Sequence, residues 1–432
     1  MSNSLIRLKV FSLTKGGFGV GSIESSGIPT KTPRESILIP RTVPGDIVDV
    51  ERDSAGYGKG FGKLVRIVEP STYRVQPHCP YVDECGCDFM HIDPAFQQSS
   101  RVSIVKDELG RAKIPVPDIN SHASTQILHY RVRARVAVVA NKKHVQVGFR
   151  APKSHRLIEV DSCCVLEPAI DQLRREISSW LSGSSGAGEA SLYLGRDGLP
   201  AVSLSWDGTL ASSVFTAAQN RIDDGEWAGV SLWLKGARVP ANLGDPTGVM
   251  KGADGLDLYF PPGGFTQANQ SMNSCLVNHV ANSAVADCGF HGDEMLELFA
   301  GSGNFTVALA ARTNELSTVE QDKAAVAAAN RNVLARGLRC RIREADASQI
   351  SIRPSVRVAV LDPPRSGSRS VALRIAESRV RKVLMVSCDP ATLARDLSIL
   401  CASRFAVQRL DVFEMFPCTS HVETVALLER SR

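Results

Sequence analysis

The sequence predicts a multidomain α/β protein with a small β-barrel first, a β-rich central domain next and a doubly wound α/β domain last. Three observations predict this order. Short alternating apolar runs, separated by glycine and proline turns, occupy residues 1–68. Residues 69–265 remain β-rich and contain a cysteine cluster. From residue 266 onward, apolar runs alternate with helical stretches, which is typical of a parallel sheet covered by helices.

The length of 432 residues and the apolar fraction of 43% suit two or three ordinary globular domains. The net charge is only +5. No apolar run approaches the ~18 residues of a membrane span, and the polar N-terminus lacks the apolar core of a signal peptide. Eleven cysteines without an export signal favour a reducing cytoplasm, where they are thiols, metal ligands or nucleophiles.

The N-terminal segment, residues 1–68, predicts an OB-like barrel with strands at 6–11, 37–39, 46–51 and 62–67. Its charge is locally basic, which suits contact with RNA phosphates, although a merely solvated basic face is an equal alternative. Ten Lys or Arg residues (7, 9, 15, 31, 34, 41, 52, 59, 63, 66) stand against six Asp or Glu residues (24, 35, 46, 49, 51, 53).

Two glycine-containing stretches of this segment, KGGFGVG at 15–21 and VPGD at 43–46, resemble the TRAM RNA-binding barrel. The resemblance implies contact with RNA, and an exposed Phe18 could stack on a base. The alternative is a barrel in which the glycines only shape turns.

Three cysteines, Cys79, Cys85 and Cys87, fall within nine residues and suggest a zinc or iron–sulfur site. A fourth ligand is needed, and Cys163 or its neighbour Cys164 is the best candidate. The alternative is a set of reduced structural thiols.

The central segment predicts strands, one helix and a flexible loop. The strands are expected at 131–139, 144–149, 190–194 and 201–205, the helix at 168–181 and the loop at 182–188. A strand at 256–260 is followed by a helix that opens at 265–270. Gln267 and Asn269 lie near its N-terminus, suited to a charged ligand, although Asn269 could equally cap the helix.

The last domain begins with a strand at 295–299, a small-residue turn at 300–303 and a helix at 305–312. Glycine lets a ligand approach the backbone of such a turn closely, outside the carboxyl end of the strand. The next strand ends at Glu320, whose carboxylate could bind the ribose hydroxyls of a nucleoside, and Asp346 follows the strand after that. Thr306 stands where a dinucleotide motif has glycine, which favours S-adenosylmethionine over a dinucleotide.

Two further apolar strands, 358–361 and 383–386, end in Asp362-Pro-Pro-Arg365 and in Ser-Cys388-Asp389-Pro. Because the ends of parallel strands meet at one edge of a Rossmann-like sheet, Glu320, Asp362 and Cys388 should face one crevice. Methylation of an exocyclic amine would need an aromatic residue where Arg365 stands. A cysteine at the next strand end instead suggests covalent catalysis.

A thiolate explains how an unreactive pyrimidine carbon could be methylated. Its addition to carbon 6 of uracil makes an enolate, carbon 5 attacks the sulfonium methyl, and a base then removes the carbon-5 proton. Glu423, just before a strand at 424–428, is the candidate base. Alternatively, Cys388 is a small buried apolar residue and Glu423 a surface carboxylate.

Four segments together resemble the RNA uracil-5-methyltransferase family, most closely its 23S ribosomal RNA branch with a TRAM domain. They are LELFAGSGNF at 296–305, LDPPR at 361–365, VSCDPATLARD at 386–396 and MFPCTSHVE at 415–423. The resemblance implies a nucleophilic Cys388 and a proton acceptor Glu423. It also implies S-adenosylmethionine contacts from Gln267, Phe299, Asn304, Glu320 and Asp362; Asp346 is added from its place at a strand end.

The resemblance further implies a [4Fe–4S] cluster on Cys79, Cys85, Cys87 and Cys163. Cys85-Gly86-Cys87 is one residue shorter than the family's Cys-Gly-Gly-Cys, which would alter the loop geometry around a metal. Asp389 stands where the family has asparagine, and its charge would raise the pKa of the neighbouring thiol unless it is bonded elsewhere.

Three other functions fit less well. The first is methylation of a transfer RNA uridine. The second is cytosine-5 methylation of RNA, which would need a cysteine where Arg365 stands. The third is a non-catalytic RNA-binding protein with a metal centre. We expect a cytoplasmic monomer that acts on a single-stranded or looped uridine.

Overall fold

The computed structural model describes residues 5–22, 36–53, 60–152, 154–286, 294–313 and 315–431. Of the charged N-terminal residues counted above, those at 24, 31, 34, 35 and 59 lie outside the described residues. The full extent of the predicted segment 1–68 is therefore described only in part.

The N-terminal segment forms a closed barrel of five strands in the order β1-β2-β3-β5-β4, which confirms the predicted barrel. Its strands are β1 (Ile6–Leu13), β2 (Gly19–Ser22), β3 (Ser36–Ile39), β4 (Ile47–Asp53) and β5 (Phe61–Glu69). Apolar side chains alternate along these strands and meet inside the barrel, where Leu8, Val10, Ile39 and Val48 are buried.

Part of the basic charge of the barrel is paired within the barrel itself. Arg7 and Arg66 both bind the carboxylate of Asp49, at 2.8 and 2.7 Å. The prediction of an exposed Phe18 is wrong, because its ring is half-buried and packs edge-on against Phe61 at a centroid distance of 5.2 Å. Among the barrel residues that the structure describes, Phe11 is the exposed aromatic residue, at 56%.

After the barrel, the chain forms one helix and a short strand, and then a seven-stranded sheet in the order β13-β12-β11-β10-β7-β8-β9. The elements are α1 (Pro94–Arg111), β6 (Ile119–His122), β7 (Arg133–Asn141), β8 (His144–Arg150), β9 (Leu157–Ile158), α2 (Pro168–Trp180), β10 (Ser185–Leu194), β11 (Pro200–Thr209), α3 (Ser212–Asp223), β12 (Gly229–Leu234) and β13 (Ala241–Gly244). The apolar sides of α2 and α3 pack on one face of the sheet.

The predicted loop at 182–188 is wrong in its second half, because β10 begins at Ser185 and pairs on both sides. The glycines serve close packing rather than flexibility. A Cβ at Gly188 would lie 2.2 Å from the carbonyl oxygen of Ser205, so only glycine fits there.

A two-stranded sheet and an eight-stranded sheet complete the chain. The elements are β14 (Gly248–Lys251), β15 (Asp257–Phe260), α4 (Gln270–Ala286), β16 (Glu294–Leu298), α5 (Asn304–Ala310), β17 (Leu316–Glu320), α6 (Lys323–Leu334), β18 (Arg341–Glu344), β19 (Val356–Leu361), α7 (Arg369–Glu377), β20 (Lys382–Ser387), α8 (Pro390–Ala402), β21 (Phe405–Phe413) and β22 (Glu423–Arg430). The helix expected to open at 265–270 begins at Gln270, because Asn269 is its cap: the side-chain oxygen of Asn269 accepts from Met272 N at 3.2 Å.

The eight-stranded sheet has the order β18-β17-β16-β19-β20-β22-β21-β6, with β18 to β20 parallel and β22 antiparallel. Its last strand, β6, comes from the segment 69–265, and α1 packs beside α8 on the same sheet. One face carries α1, α7 and α8, and the other carries α4 and α5. Among the described helices, none is both long enough and apolar enough to cross a membrane.

The side chain of Arg101 in α1 is fully buried and holds the loop between β21 and β22. Its Nη1 lies 2.7 Å from Glu414 Oε1, its Nη2 donates to Thr419 O at 2.7 Å, and its Nε donates to His421 O at 3.1 Å. The guanidinium therefore supplies hydrogen bonds that this loop, which lacks a strand partner, cannot make itself.

We expect Arg101→Met to lower the free energy of unfolding by about 3–5 kcal/mol, because Glu414 would remain buried without a partner. Urea denaturation of the full chain measures this change. Arg111→Ala is the control: its pair with Glu108 is exposed at the arginine, so a loss below about 1 kcal/mol is expected. Equal losses for the two variants would contradict the role given to Arg101.

Candidate active site

The predicted site residues meet at one edge of the eight-stranded sheet, where the parallel strands end and β22 begins. The residues at or just beyond these strand ends are Phe299, Asn304, Glu320, Asp346, Asp362, Cys388 and Glu423. The edge follows from the topology, because β16 to β20 are all parallel and β22 runs in the opposite direction.

The turn after β16 is built from backbone conformations that glycine tolerates best. Gly301 and Gly303 have φ of 54° and 88°, and Phe299 also has a positive φ of 65°. Glu320 closes the turn, since its Oε2 accepts from Gly301 N at 2.8 Å. The other oxygen of Glu320 accepts from Gln321 N and Asp322 N at 2.7 and 2.8 Å.

The helix α4 supports this turn from one side. Asn304 and Asn273 exchange two side-chain hydrogen bonds, of 3.0 and 2.8 Å. Gln267 is buried in the segment that leads into α4. Asn269 caps α4, because its side-chain oxygen accepts a hydrogen bond from the first turn of the helix. This was the alternative to its predicted contact with a charged ligand.

The acidic residues around the turn differ in environment. Asp346 accepts from Ser348 N at 2.8 Å, and the hydrogen bonds from Ser348 lower its pKa. Burial raises the pKa of the Asp362 carboxyl to about 7, although part of the residue is open to the crevice. Burial likewise raises the pKa of Glu297, inside β16, to about 7.

Cys388 and Glu423 face each other at the end of an antiparallel strand pair. The ladder of β20 and β22 ends with the pair Ser387 and Thr424. Cys388 and Glu423 adjoin that pair, and the charge of Glu423 acts on the Cys388 thiol. The predicted thiol and carboxylate are therefore neighbours.

The electrostatics of this pair disfavour charge before a substrate arrives. Burial, and then the nearby Glu423, raise the pKa of the Cys388 thiol to about 11, while Arg365 acts in the opposite direction. Burial, and then Asp362, raise the pKa of Glu423 well above its usual value. Arg365 is the neighbouring cation that these groups share, and its Nη2 also lies 3.2 Å from His421 Nδ1.

The carboxylate of Asp389 is occupied elsewhere, which answers the concern about its place beside the thiol. Its Oδ1 accepts from Ala391 N and Thr392 N at 3.0 and 2.9 Å and so caps α8. Its Oδ2 lies 3.1 Å from Lys15 Nζ, a residue of the barrel. Although burial opposes the shift, the bonds from Thr392 and Lys15 lower the pKa of Asp389.

The barrel and the loop before Glu423 meet at Asp88. Asp88 Oδ1 accepts from Ser420 N at 2.7 Å, and Oδ2 accepts from Ser420 Oγ at 2.5 Å. Gly17 of the barrel packs so closely that a Cβ there would lie 2.2 Å from Asp88 Oδ2. Gln97 Oε1 accepts from Cys418 N at 3.0 Å on the other side of the loop.

The four predicted metal ligands, Cys79, Cys85, Cys87 and Cys163, come close to one another, together with Cys164 and Cys418. Burial, and then the neighbouring thiols Cys79 and Cys163, raise the pKa of Cys85 to about 11. Tetrahedral zinc would need sulfur atoms ~3.8 Å apart. No three of these sulfurs lie within 4.8 Å of one another among the described residues.

Sequence reasoning missed several residues that position the site: Arg101, Gln97, Asp88, Lys15 and Asn273. All lie far along the chain from the residues they contact, so no local pattern marks them. One feature of the sequence could have indicated Arg101: it is a charged residue on a helix face that is otherwise apolar, beside Ile104 and Val105.

Known proteins resemble this chain in sequence and in fold. The model of the tRNA (uracil-5-)-methyltransferase family matches residues 256–343 and 348–431. A 23S rRNA (uracil(1939)-C(5))-methyltransferase of Halomonas elongata is 30% identical over 94% of this chain and 87% of its own length. One from Shewanella amazonensis is 31% identical over 98% and 95%.

Among solved structures, the tRNA (uracil-54, C5)-methyltransferase of Pyrococcus abyssi, in complex with S-adenosyl-L-homocysteine, is similar to this chain. It superposes with a TM-score of 0.75, covering 98% of this chain and 100% of its own, at 20% identity. At this identity the likeness shows only that the two proteins share a fold. The curated relatives are about 30% identical over most of their length, and this similarity shows that the chain belongs to the RNA uracil-5-methyltransferase family.

Proposed function

We propose that this enzyme uses S-adenosylmethionine to methylate carbon 5 of one uridine in 23S rRNA, with Cys388 as nucleophile and Glu423 as base. The observation that carries the mechanism is that these two residues adjoin the last pair of the β20–β22 ladder and that Glu423 acts electrostatically on the Cys388 thiol. The choice of 23S rRNA rests on the relatives that span nearly the whole chain and carry that activity in their names. The same support favours it over cytosine methylation and over a non-catalytic role.

The reaction starts when the Cys388 sulfur, as thiolate, forms a bond to carbon 6 of the uracil. The ring electrons move to the carbon-4 oxygen, so carbon 5 becomes nucleophilic and takes the methyl group from the sulfonium, which leaves as S-adenosylhomocysteine. Glu423 then accepts the proton of carbon 5, and the carbon–sulfur bond breaks to release thiolate and the methylated base. A carboxylate with a raised pKa is well suited to accept this proton.

The cofactor lies against the turn after β16 in this proposal. Glu320 would bind the ribose hydroxyls, and Phe299 and Asp362 would contact the nucleoside and the donor sulfonium end. Asn304 and Gln267 would bind the amino-acid part, and Asp346 would contact the base. Supporting this, Glu320 and Asn304 already make hydrogen bonds that shape or brace the turn.

The RNA would be bound by the barrel and the central segment, and the target uridine would be turned out of its stack to reach Cys388. Residues 1–68 would act as a TRAM barrel, 69–265 as the cysteine-containing central domain, and 266–432 as the methyltransferase domain. The bond from Lys15 to Asp389 supports the proximity of the barrel to the nucleophile. We propose that the protein acts as a monomer in the cytoplasm, where its ribosomal substrate is found.

We also propose that Cys79, Cys85, Cys87 and Cys163 hold a [4Fe–4S] cluster, with Cys164 or Cys418 as the alternative ligand. The convergence of these thiols from two separate parts of the chain supports a shared metal centre. When bound, such a cluster would tie the segment 79–87 to residue 163. Arg41 already braces the shortened loop, since it donates to the carbonyl oxygens of Cys85 and Cys87 at 3.0 Å. No step of methyl transfer is assigned to it.

Cys388→Ala should reduce methyl transfer by at least about 10³-fold without changing the affinity for S-adenosylmethionine, because only the covalent step is lost. Glu423→Gln should instead accumulate an RNA–protein adduct, because proton removal is blocked after methylation. Labelled-methyl transfer, cofactor titration and denaturing gels measure the three effects.

Cys401→Ala, which changes a half-buried thiol of α8, is the matched control and should be fully active. Turnover retained by Cys388→Ala would refute the covalent mechanism.

Nucleoside mapping of ribosomal and transfer RNA from a strain lacking the protein tests the substrate, and loss of 5-methyluridine from transfer RNA alone would refute the ribosomal assignment.

The reactivity of Cys388 should depend on Glu423. Because the Glu423 charge raises the thiol pKa, Glu423→Gln should lower that pKa, leaving more thiolate at any pH below about 10. Iodoacetamide labelling of the Cys388 peptide between pH 7 and 10 should therefore become several-fold faster in the variant. An unchanged pH profile would mean that the two groups are not electrostatically linked.

The proposed iron–sulfur cluster leads to a separate prediction about the iron content of cysteine variants. Cys85→Ser should lower the iron and acid-labile sulfide content of the anaerobically reconstituted protein to well below half that of the wild type, and Cys401→Ser should not. Iron analysis and the visible absorption spectrum report on this. Wild-type protein that takes up zinc through the same thiols, and no labile sulfide, would contradict the proposed cluster.

A further inference from the structure

Two imidazoles and one carboxylate converge at a place that the methylation chemistry does not use. His122 ends β6, His279 lies in α4, and Asp411 lies in β21. These three elements come from distant parts of the chain and meet where α4 crosses the last strands of the eight-stranded sheet. The cluster is the His122–His279–Asp411 site.

The ligand atoms of this site are close enough to share one ion. His122 Nε2 lies 3.0 Å from Asp411 Oδ1, and His279 Nε2 lies 3.1 Å from Asp411 Oδ2. The three candidate ligand atoms all fall within 4.8 Å of one another. Around tetrahedral zinc, with bonds of about 2.0–2.1 Å to nitrogen and oxygen, neighbouring ligand atoms are about 3.3 Å apart.

The Nε2 atom of His279 points to a missing partner. It is buried and lacks a well-aligned hydrogen bond, although Asp411 Oδ2 is only 3.1 Å away; burial opposes the shift, but the contacts with both histidines lower the pKa of Asp411. The nitrogen is therefore near the oxygen but not aligned with it, as expected when both atoms are directed at a third. A buried polar atom without a partner is costly, and a metal ion between the two groups would satisfy it.

The surroundings hold the ligands in place. The ring of Phe413 stacks on His122 at 4.2 Å with an interplanar angle of 7°, and it meets His279 edge-on at 5.3 Å. The side chain of Asp411 is only 3% exposed. Arg409 Nε also lies 3.1 Å from Asp411 Oδ2, so its guanidinium would compete with a cation for that oxygen.

We propose that His122, His279 and Asp411 bind a divalent transition-metal ion of the zinc class, with water in the fourth position. Two imidazoles and one carboxylate suit zinc better than magnesium or calcium, which prefer oxygen ligands alone. Each neutral imidazole binds through the Nε2 lone pair and keeps its proton on Nδ1, so His122 gives up its hydrogen bond to Asp411. The bound ion joins α4, whose Asn273 supports the cofactor turn, to β6 and β21.

The test uses the full chain, stripped with a chelator and titrated with Co²⁺, whose visible bands report the ligands. The thiols near Cys85 are a competing site, but thiolate binding adds strong near-ultraviolet charge-transfer absorption. We expect one equivalent of Co²⁺ that gives visible bands without that absorption, and Zn²⁺ should displace it. The same equivalent should persist in a Cys85→Ser, Cys87→Ser double variant.

Two substitutions should change the affinity in opposite directions. His279→Gln should weaken Co²⁺ binding at least tenfold, because one ligand is lost. Arg409→Gln should tighten it, because the competing cation is removed from Asp411. His155→Ala, at an exposed histidine of the central segment, is the matched control and should change nothing.

Circular dichroism without metal shows whether each variant is folded, and His122→Gln replaces His279→Gln if that variant is not. Equal Co²⁺ affinity in the wild type and the histidine variants would overturn the proposal. So would Co²⁺ binding that is accompanied only by thiolate charge transfer and is lost in the double cysteine variant. In either case the site is only a hydrogen-bonded His–Asp–His arrangement.

Discussion

The buried guanidinium of Arg101 is the constraint on which the active site most depends. A charge that is fully removed from water must be paired and hydrogen-bonded, and Glu414 and the carbonyl oxygens of residues 416, 419 and 421 meet that need. Glu414 is satisfied in turn by Ser124 N at 3.1 Å. The loop that carries these groups leads directly into Glu423, so the position of the proposed base depends on a charge on a helix some 320 residues earlier in the chain.

The candidate reacting pair, Cys388 and Glu423, lies in an environment that raises the pKa of both groups. Three acidic groups, Cys388, Glu423 and Asp362, share one region with the cation Arg365. Burial is the largest cause of the raised pKa of each of them. A protonated thiol is protected from stray electrophiles. An entering RNA brings its own charge and polar groups, which alter the balance between the protonated and ionised forms.

The barrel is attached to this region by polar contacts as well as by the chain. Lys15 binds Asp389, the residue after the proposed nucleophile, and Ser420 joins Lys15 O to Asp88. These contacts place an RNA-binding candidate surface beside the reacting thiol. Asp389 is therefore a helix cap and an attachment point for the barrel rather than a repulsive neighbour of Cys388.

Much of the fold and the place of the candidate site residues at the edge of the sheet could be predicted from local patterns. Alternating apolar residues predicted the barrel strands, and apolar runs ending in polar residues predicted the parallel strands and the edge that carries Glu320, Asp362 and Cys388. These predictions succeeded because side-chain periodicity and strand polarity are properties of short segments. The loop predicted at 182–188 failed because pairing with two neighbouring strands outweighed the turn preference of its glycines and serines.

The sequence by itself determined the strand and helix pattern, the glycine turn and the types of side chain available for catalysis. Only the tertiary structure decided that β6 and α1 join the last sheet, that Arg101 holds the loop before Glu423, and that His122, His279 and Asp411 meet. The physical reason is separation along the chain. Contacts between residues hundreds of positions apart depend on how whole elements pack, and that packing leaves no periodic signal in either partner.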